Sequence, residues 1–93
     1  MVRAFHFAPY FAHGRQVWYF NSPGWGINRF TNVVASITEL GGPPGGPLDY
    51  PLIGSVVMVV ENVAPNDNGN VYVRYFIDYS RDLPFRITLF VDP

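Results

Sequence analysis

The chain has 93 residues and a net charge of −1, which is enough for one domain and not for two. It has no cysteine, so a disulfide framework and thiolate catalysis are excluded. All six basic residues are arginines scattered along the chain, and we expect no nucleic-acid partner because such proteins carry a basic patch or stripe.

Charged residues are unusually few. They make up 14% of the chain, whereas aromatic residues reach 17%, and a typical domain has about 25% charged residues. The chain is therefore short of the groups that normally cover a surface. We expect a second subunit or a ligand to cover part of it.

The first half of the chain predicts three strands. Aromatic and β-branched residues are concentrated at 2–11, 16–20 and 30–40, and the turn-forming residues 21–26 separate the second segment from the third. His6, Pro9 and His13 interrupt the N-terminal stretch 1–16, so it lacks the continuous apolar run of a secretory signal. We therefore expect a cytoplasmic protein.

Residues 41–51, "GGPPGGPLDYP", predict a loop. Four glycines and four prolines in this segment leave no room for a regular element. Neither flanking half is long enough to fold alone. We interpret the segment as a loop inside a single β domain that spans residues 1–93.

The second half predicts three further strands, at 52–63, 71–79 and 86–91. The run 56–60 is apolar on both faces, which favours a central strand covered on both sides. Asn68 and Gly69 are the preferred pair for a type I′ turn, so we expect segments 52–63 and 71–79 to form an antiparallel hairpin. The predicted fold is all-β: an antiparallel β-sandwich of about six strands, with a small β-barrel as the alternative.

The strand at 71–79 has two unusual faces. Side chains on one face belong to an ordinary core: Val71, Val73, Tyr75, Ile77 and Tyr79. The opposite face carries Tyr72, Arg74, Phe76 and Asp78, and it should face water in a monomer. We therefore predict that these four residues, together with Phe90, form an interface between copies of a non-enzymatic homo-oligomer, with a dimer as the first choice. Assembly into a larger structure fits the same pattern.

Trp18, Trp25 and Tyr50 support an alternative from another class. Aromatic side chains on strands or loops can stack on a ligand, so these three could hold a carbohydrate or an apolar small molecule. In that case the domain would be a small barrel with a pocket lined by Phe5, Phe7, Trp18 and Tyr75, and enzymatic activity stays open. For Trp25, between two glycines, the competing interpretation is a plug that closes the end of the core.

The remaining polar residues predict no catalytic centre. His6 and His13 are the only histidines, and the seven acids show no spacing that selects a catalytic pair. We interpret "NDNGN" at 66–70 as turn chemistry, because the EF-hand spacing is not met. We expect no catalytic residue, metal ligand or cofactor, and no membrane insertion, since the apolar run 56–60 is too short to span a bilayer.

Overall fold

Two antiparallel sheets pack face to face in the computed structural model, which describes residues 2–21 and 23–92. Within these residues the strands are β1 (Arg3–Ala12), β2 (Gly14–Asn21), β3 (Asn32–Gly41), β4 (Tyr50–Leu52), β5 (Met58–Pro65), β6 (Asn70–Ile77) and β7 (Leu83–Asp92). One sheet has the order β1-β7-β3-β4 and the other the order β2-β6-β5. The predicted all-β sandwich is confirmed.

The core lies between the sheets and is built mainly from alternate residues of β6 and β7. These residues are at most 6% exposed: Val71, Val73, Tyr75, Ile77, Phe85, Ile87, Leu89 and Val91. Burying each such side chain contributes about 1.5–3 kcal/mol. The predicted core face of the 71–79 strand is thus correct as far as Ile77. It is wrong for Tyr79, which is exposed because β6 ends before it.

One residue of this core, Tyr75, has a shifted pKa. Burial is the main cause that raises the pKa of Tyr75 above its usual 10.0, and the negative charge of Asp82 adds to the effect. The Tyr75 ring packs against Phe85 with 5.1 Å between centroids. Tyr75 therefore joins the two sheets in its neutral form.

The segment 52–63 is not one strand, contrary to the prediction. It divides into the end of β4 and most of β5, which belong to different sheets, and residues 53–57 carry the chain across. Nor is the run 56–60 part of a central strand, because β5 is an edge of its sheet and Val57 and Val59 are exposed. An apolar run in the sequence indicates that the segment is hydrophobic, but it does not indicate where the chain crosses from one sheet to the other.

The predicted β5–β6 hairpin is confirmed, but its turn is of another type. Among the described residues only glycines have positive φ, so Asn68 does not adopt the left-handed conformation that a type I′ turn requires. Gly69 has φ 87°, and its N–H donates to the carbonyl of Asn66 at 3.1 Å. The connection is a type I turn followed by a left-handed glycine.

The three strands predicted in the first half are present with shifted ends, as β1, β2 and β3. After β2, a 3₁₀ turn forms at Pro23–Trp25 within the predicted turn 21–26, of which Ser22 lies outside the described residues. Within the predicted loop 41–51, residues 42–49 have no regular structure and β4 begins at Tyr50. The loop is thus shorter than the glycine and proline content indicates.

Candidate functional site

The outward face of the three-stranded sheet carries a mixed aromatic, aliphatic and charged surface. Cross-strand pairing places Val17 opposite Arg74, Tyr19 opposite Tyr72, and Arg15 opposite Phe76. On the other side of β6, Phe76 pairs with Val59 of β5. We call this surface the outer patch and define it as Arg15, Val17, Tyr19, Val59, Glu61, Tyr72, Arg74 and Phe76.

A β-bulge in β5 builds the charged centre of the outer patch. The register of β5 against β6 shifts between Val60 and Asn62, so Glu61 is the extra residue. Arg15 donates two hydrogen bonds to its carboxylate, Nε to Oε1 at 2.6 Å and Nη2 to Oε2 at 2.8 Å. Arg74 Nε lies 3.4 Å from Oε1. The carboxylate of Glu61 thus links β2, β5 and β6.

This geometry shifts the ionisation of both main partners. The hydrogen bonds from Arg15 are the main cause that lowers the pKa of Glu61 below its usual value, and they also raise the pKa of Arg15. The Arg15 guanidinium also lies over the Phe76 ring, 5.1 Å from its centroid. The cluster is therefore ionised at neutral pH and held against an aromatic ring.

Large apolar side chains beside this cluster are open to solvent. Val17 is 62% exposed, Tyr19 59% and Val59 40%. The Tyr19 and Tyr72 rings lie 6.0 Å apart, and Asn70 Nδ2 donates to the Tyr72 hydroxyl at 3.2 Å. Exposed aliphatic and aromatic groups that adjoin one another make this surface a candidate for binding another molecule.

The structure brings together some of the predicted interface residues and separates one. Tyr72, Arg74 and Phe76 lie in the outer patch, and Asp78 follows β6 with its N–H donating to the carbonyl of Val57 at 2.9 Å. Phe90 lies on β7 in the four-stranded sheet, opposite Ala4 and Val34. Phe90 therefore faces away from the outer patch. Alternation along a strand predicts which residues share a face, but it does not predict which sheet the strand joins.

Sequence reasoning missed Arg15 and Glu61. A single glutamate within the apolar segment 58–63 was a signal, because a charged side chain in such a strand needs a partner or solvent. The bulge that aims Glu61 at both arginines has no local sequence signature.

The three aromatic residues predicted to bind a ligand do not share a site. Trp18 packs on the Phe7 ring with centroids 5.0 Å apart. Trp25 meets Phe5 edge to face at 4.4 Å and packs against the core. Tyr50 is exposed on β4, at the opposite edge of the four-stranded sheet from β1.

The aromatic rings that were predicted to line a pocket pack on one another instead. Phe7 contacts both Trp18 and Phe20, the latter with centroids 5.1 Å apart. Tyr75 packs on Phe85 deeper in the core. A ligand bound among these rings would have to displace core side chains.

A separate cleft opens where the chain crosses between the sheets. It has a volume of about 300 Å³ and is bounded by β3, the end of β4 and the start of β5. Most of its side chains are apolar, and its acidic group is the carboxylate of Glu39: the lining is Ile37, Thr38, Glu39, Leu52, Ile53, Gly54, Val56 and Met58. This cleft is a second candidate site.

Both histidines have side-chain partners that are distant in the sequence, and neither histidine belongs to the outer patch. His6 Nδ1 lies 2.9 Å from Thr88 Oγ1 on the four-stranded sheet, and His13 Nδ1 lies 2.6 Å from Asp82 Oδ1. Within residues 2–21 and 23–92, no group of three or more His, Asp or Glu side chains is arranged to hold a metal ion. The same residues contain no helix long and apolar enough to cross a membrane.

Comparisons of this chain with protein-family models, with curated proteins and with solved structures found no match.

Proposed function

We propose that the protein is a non-enzymatic β-sandwich module that self-associates through the outer patch, with a two-fold dimer as the basic unit. The observation that carries this proposal is the exposure of Val17, Tyr19 and Val59 beside the Arg15–Glu61–Arg74 cluster. Burying these side chains against a partner would gain free energy that a monomer cannot gain.

The charges of the surface favour a second copy as the partner. The outer patch and the adjoining Asp78 hold two arginines and two acids, so their formal charges cancel. A two-fold interface brings one surface against itself and needs both signs of charge on it. A partner of one strong charge would not find complementary groups here.

The spacing along β6 provides a specific pairing across the dimer. Arg74 and Asp78 flank Phe76 at two residues on either side. In a face-to-face dimer, the two-fold axis can run perpendicular to β6 at Phe76, in the plane between the two facing sheets. Such an axis brings Arg74 of one copy opposite Asp78 of the other. The exposed Asp78 side chain has no hydrogen-bond or ion-pair partner within the described residues, so it is available to pair with Arg74 of the second copy.

A charge exchange tests the proposal. Light scattering coupled to size exclusion should give the wild-type chain a concentration-dependent mass that approaches twice 10.5 kDa. Because Arg74 Nε also lies 3.4 Å from Glu61 Oε1, the exchange is made in a Glu61→Gln background. There, Arg74→Asp and Asp78→Arg should each shift the mass toward the monomer, and the double variant should restore the dimer, since it re-forms the opposite pairing. A wild-type mass of 10.5 kDa at every concentration would contradict self-association. Failure of the double variant to recover would contradict the predicted pairing.

A further inference from the structure

We propose that the cleft between β3, β4 and β5 binds a small organic cation, an alkylammonium or arylammonium compound with an apolar body. This inference is independent of self-association, because the cleft and the outer patch share no residue.

The cleft follows from the way the chain connects the two sheets. β4 has only three residues, and residues 53–57 then leave the four-stranded sheet to begin β5. The short strand leaves the core open beside β3. Its volume of about 300 Å³ is at the lower end for small-molecule sites, so it suits a small ligand.

Five aliphatic or thioether side chains define the chemistry of the ligand body. They come from the three strands and the crossover, and the side chain of Ile53 is fully exposed: Ile37, Leu52, Ile53, Val56 and Met58. Thr38 and Glu39 are the two residues with polar side chains in the lining. The lining therefore offers apolar contacts for an alkyl chain or phenyl ring together with polar groups for hydrogen bonds.

Glu39 defines the charge of the ligand. It lies on the same face of β3 as Ile37, opposite Phe85 and Leu52 in the flanking strands, and it is partly buried. Its carboxylate has no hydrogen-bond or ion-pair partner among the described residues, unlike that of Glu61. A carboxylate without a partner in the cleft is available to pair with a cation, and an ammonium group supplies that charge with hydrogen-bond donors.

Gly54 makes room for this carboxylate. A Cβ atom at position 54 would lie 2.8 Å from Glu39 Oε1 and 3.2 Å from Oε2. The absence of a side chain there allows the carboxylate to lie against the crossover segment at the edge of the cleft. Because the conflicting atoms are the free end of a flexible side chain, Gly54→Ala should displace the carboxylate without unfolding the domain.

The test titrates two matched probes, 2-phenylethylamine as its ammonium ion and the neutral 2-phenylethanol, and follows backbone amide chemical shifts at neutral pH. We expect the amine to shift residues 37–39 and 52–58 and to bind at least tenfold more tightly than the alcohol. Glu39→Gln should remove this preference, and Gly54→Ala should weaken amine binding severalfold. The control Asp49→Asn removes one negative charge from the preceding loop and should leave the preference intact.

Each contrary result overturns the inference. Equal binding of amine and alcohol, no binding of the amine, or a preference that survives Glu39→Gln would exclude the carboxylate as the recognition group. Shifts confined to the outer patch would exclude the cleft. The mass of each sample is measured in parallel, so a monomeric protein that still binds the amine would contradict the dimer and support the cleft.

Discussion

Val17→Arg gives a sharp test of the outer patch, because the chain provides a matched control. Val17 is 62% exposed on the three-stranded sheet, and Val34 is 63% exposed on the outward face of the four-stranded sheet. The same substitution at both positions changes the same side chain at the same exposure. Only Val17 lies in the surface that we propose to be buried in the dimer.

The expected magnitude follows from the exposed fraction of Val17. Complete burial of a valine contributes about 1.5 kcal/mol at the low end of the range, so its uncovered part corresponds to about 0.9 kcal/mol. The change occurs twice in a two-fold dimer, which gives about 2 kcal/mol, or about a 30-fold rise in the dimer Kd. Burying the new guanidinium without a partner in the interface adds a desolvation cost to association.

Sedimentation equilibrium measures the dimer Kd of each variant. Val17→Arg should raise it at least about 30-fold, and Val34→Arg should leave it within about twofold. Urea unfolding should show that both monomers keep their stability within about 0.5 kcal/mol, as expected for surface changes. Equal effects of the two variants, or no effect of Val17→Arg, would refute the assignment of the interface to the three-stranded sheet.

Three further predictions concern pH and the hairpin. The folded state lowers the pKa of Glu61 below its usual 4.5. The contribution of this cluster to stability is therefore present above pH 4.5 and is lost as the pH falls through the folded-state pKa. Glu61→Gln should flatten this part of the stability–pH curve measured by urea unfolding. Burial raises the pKa of Tyr75 above 10.0, so its contribution to stability is present below pH 10.0 and is lost as the pH rises through the folded-state pKa. Tyr75→Phe should reduce the alkaline loss of stability. An unchanged slope of the stability–pH curve would contradict the assignment of this loss to Tyr75. Gly69→Ala should lower the free energy of unfolding by about 1 kcal/mol because φ is 87° at this position. Gly24→Ala should change it little, because Gly24 has no positive φ and no neighbouring atom within 4 Å of an added Cβ.

The local pattern of the sequence was sufficient to predict the fold class. Alternation along the 71–79 segment identified the buried face of β6 as far as Ile77, since successive side chains of a strand point to opposite sides. Asn68 and Gly69 located the β5–β6 hairpin even though the turn type was wrong. These features depend on neighbouring residues and therefore leave a signal in a single sequence.

The arrangement of the candidate sites depended on tertiary pairing and could not be predicted. Phe90 has the same alternation as an interface residue, but strand pairing places it in the other sheet. The bulge at Glu61 and the crossover at 53–57 come from the register and the change of sheet, and neither has a local pattern. The ionic centre of the outer patch and the cleft beside Glu39 therefore emerged only from the structure.

Intermolecular contacts at the outer patch can be observed directly by NMR. An equal mixture of isotope-labelled and unlabelled protein, recorded with a filter for contacts between different molecules, should show cross-peaks from the rings of Tyr72 and Phe76 to side chains of the second copy. Intermolecular cross-peaks from Val34 and Phe90 in their place, or none at concentrations well above the Kd, would contradict self-association through this face.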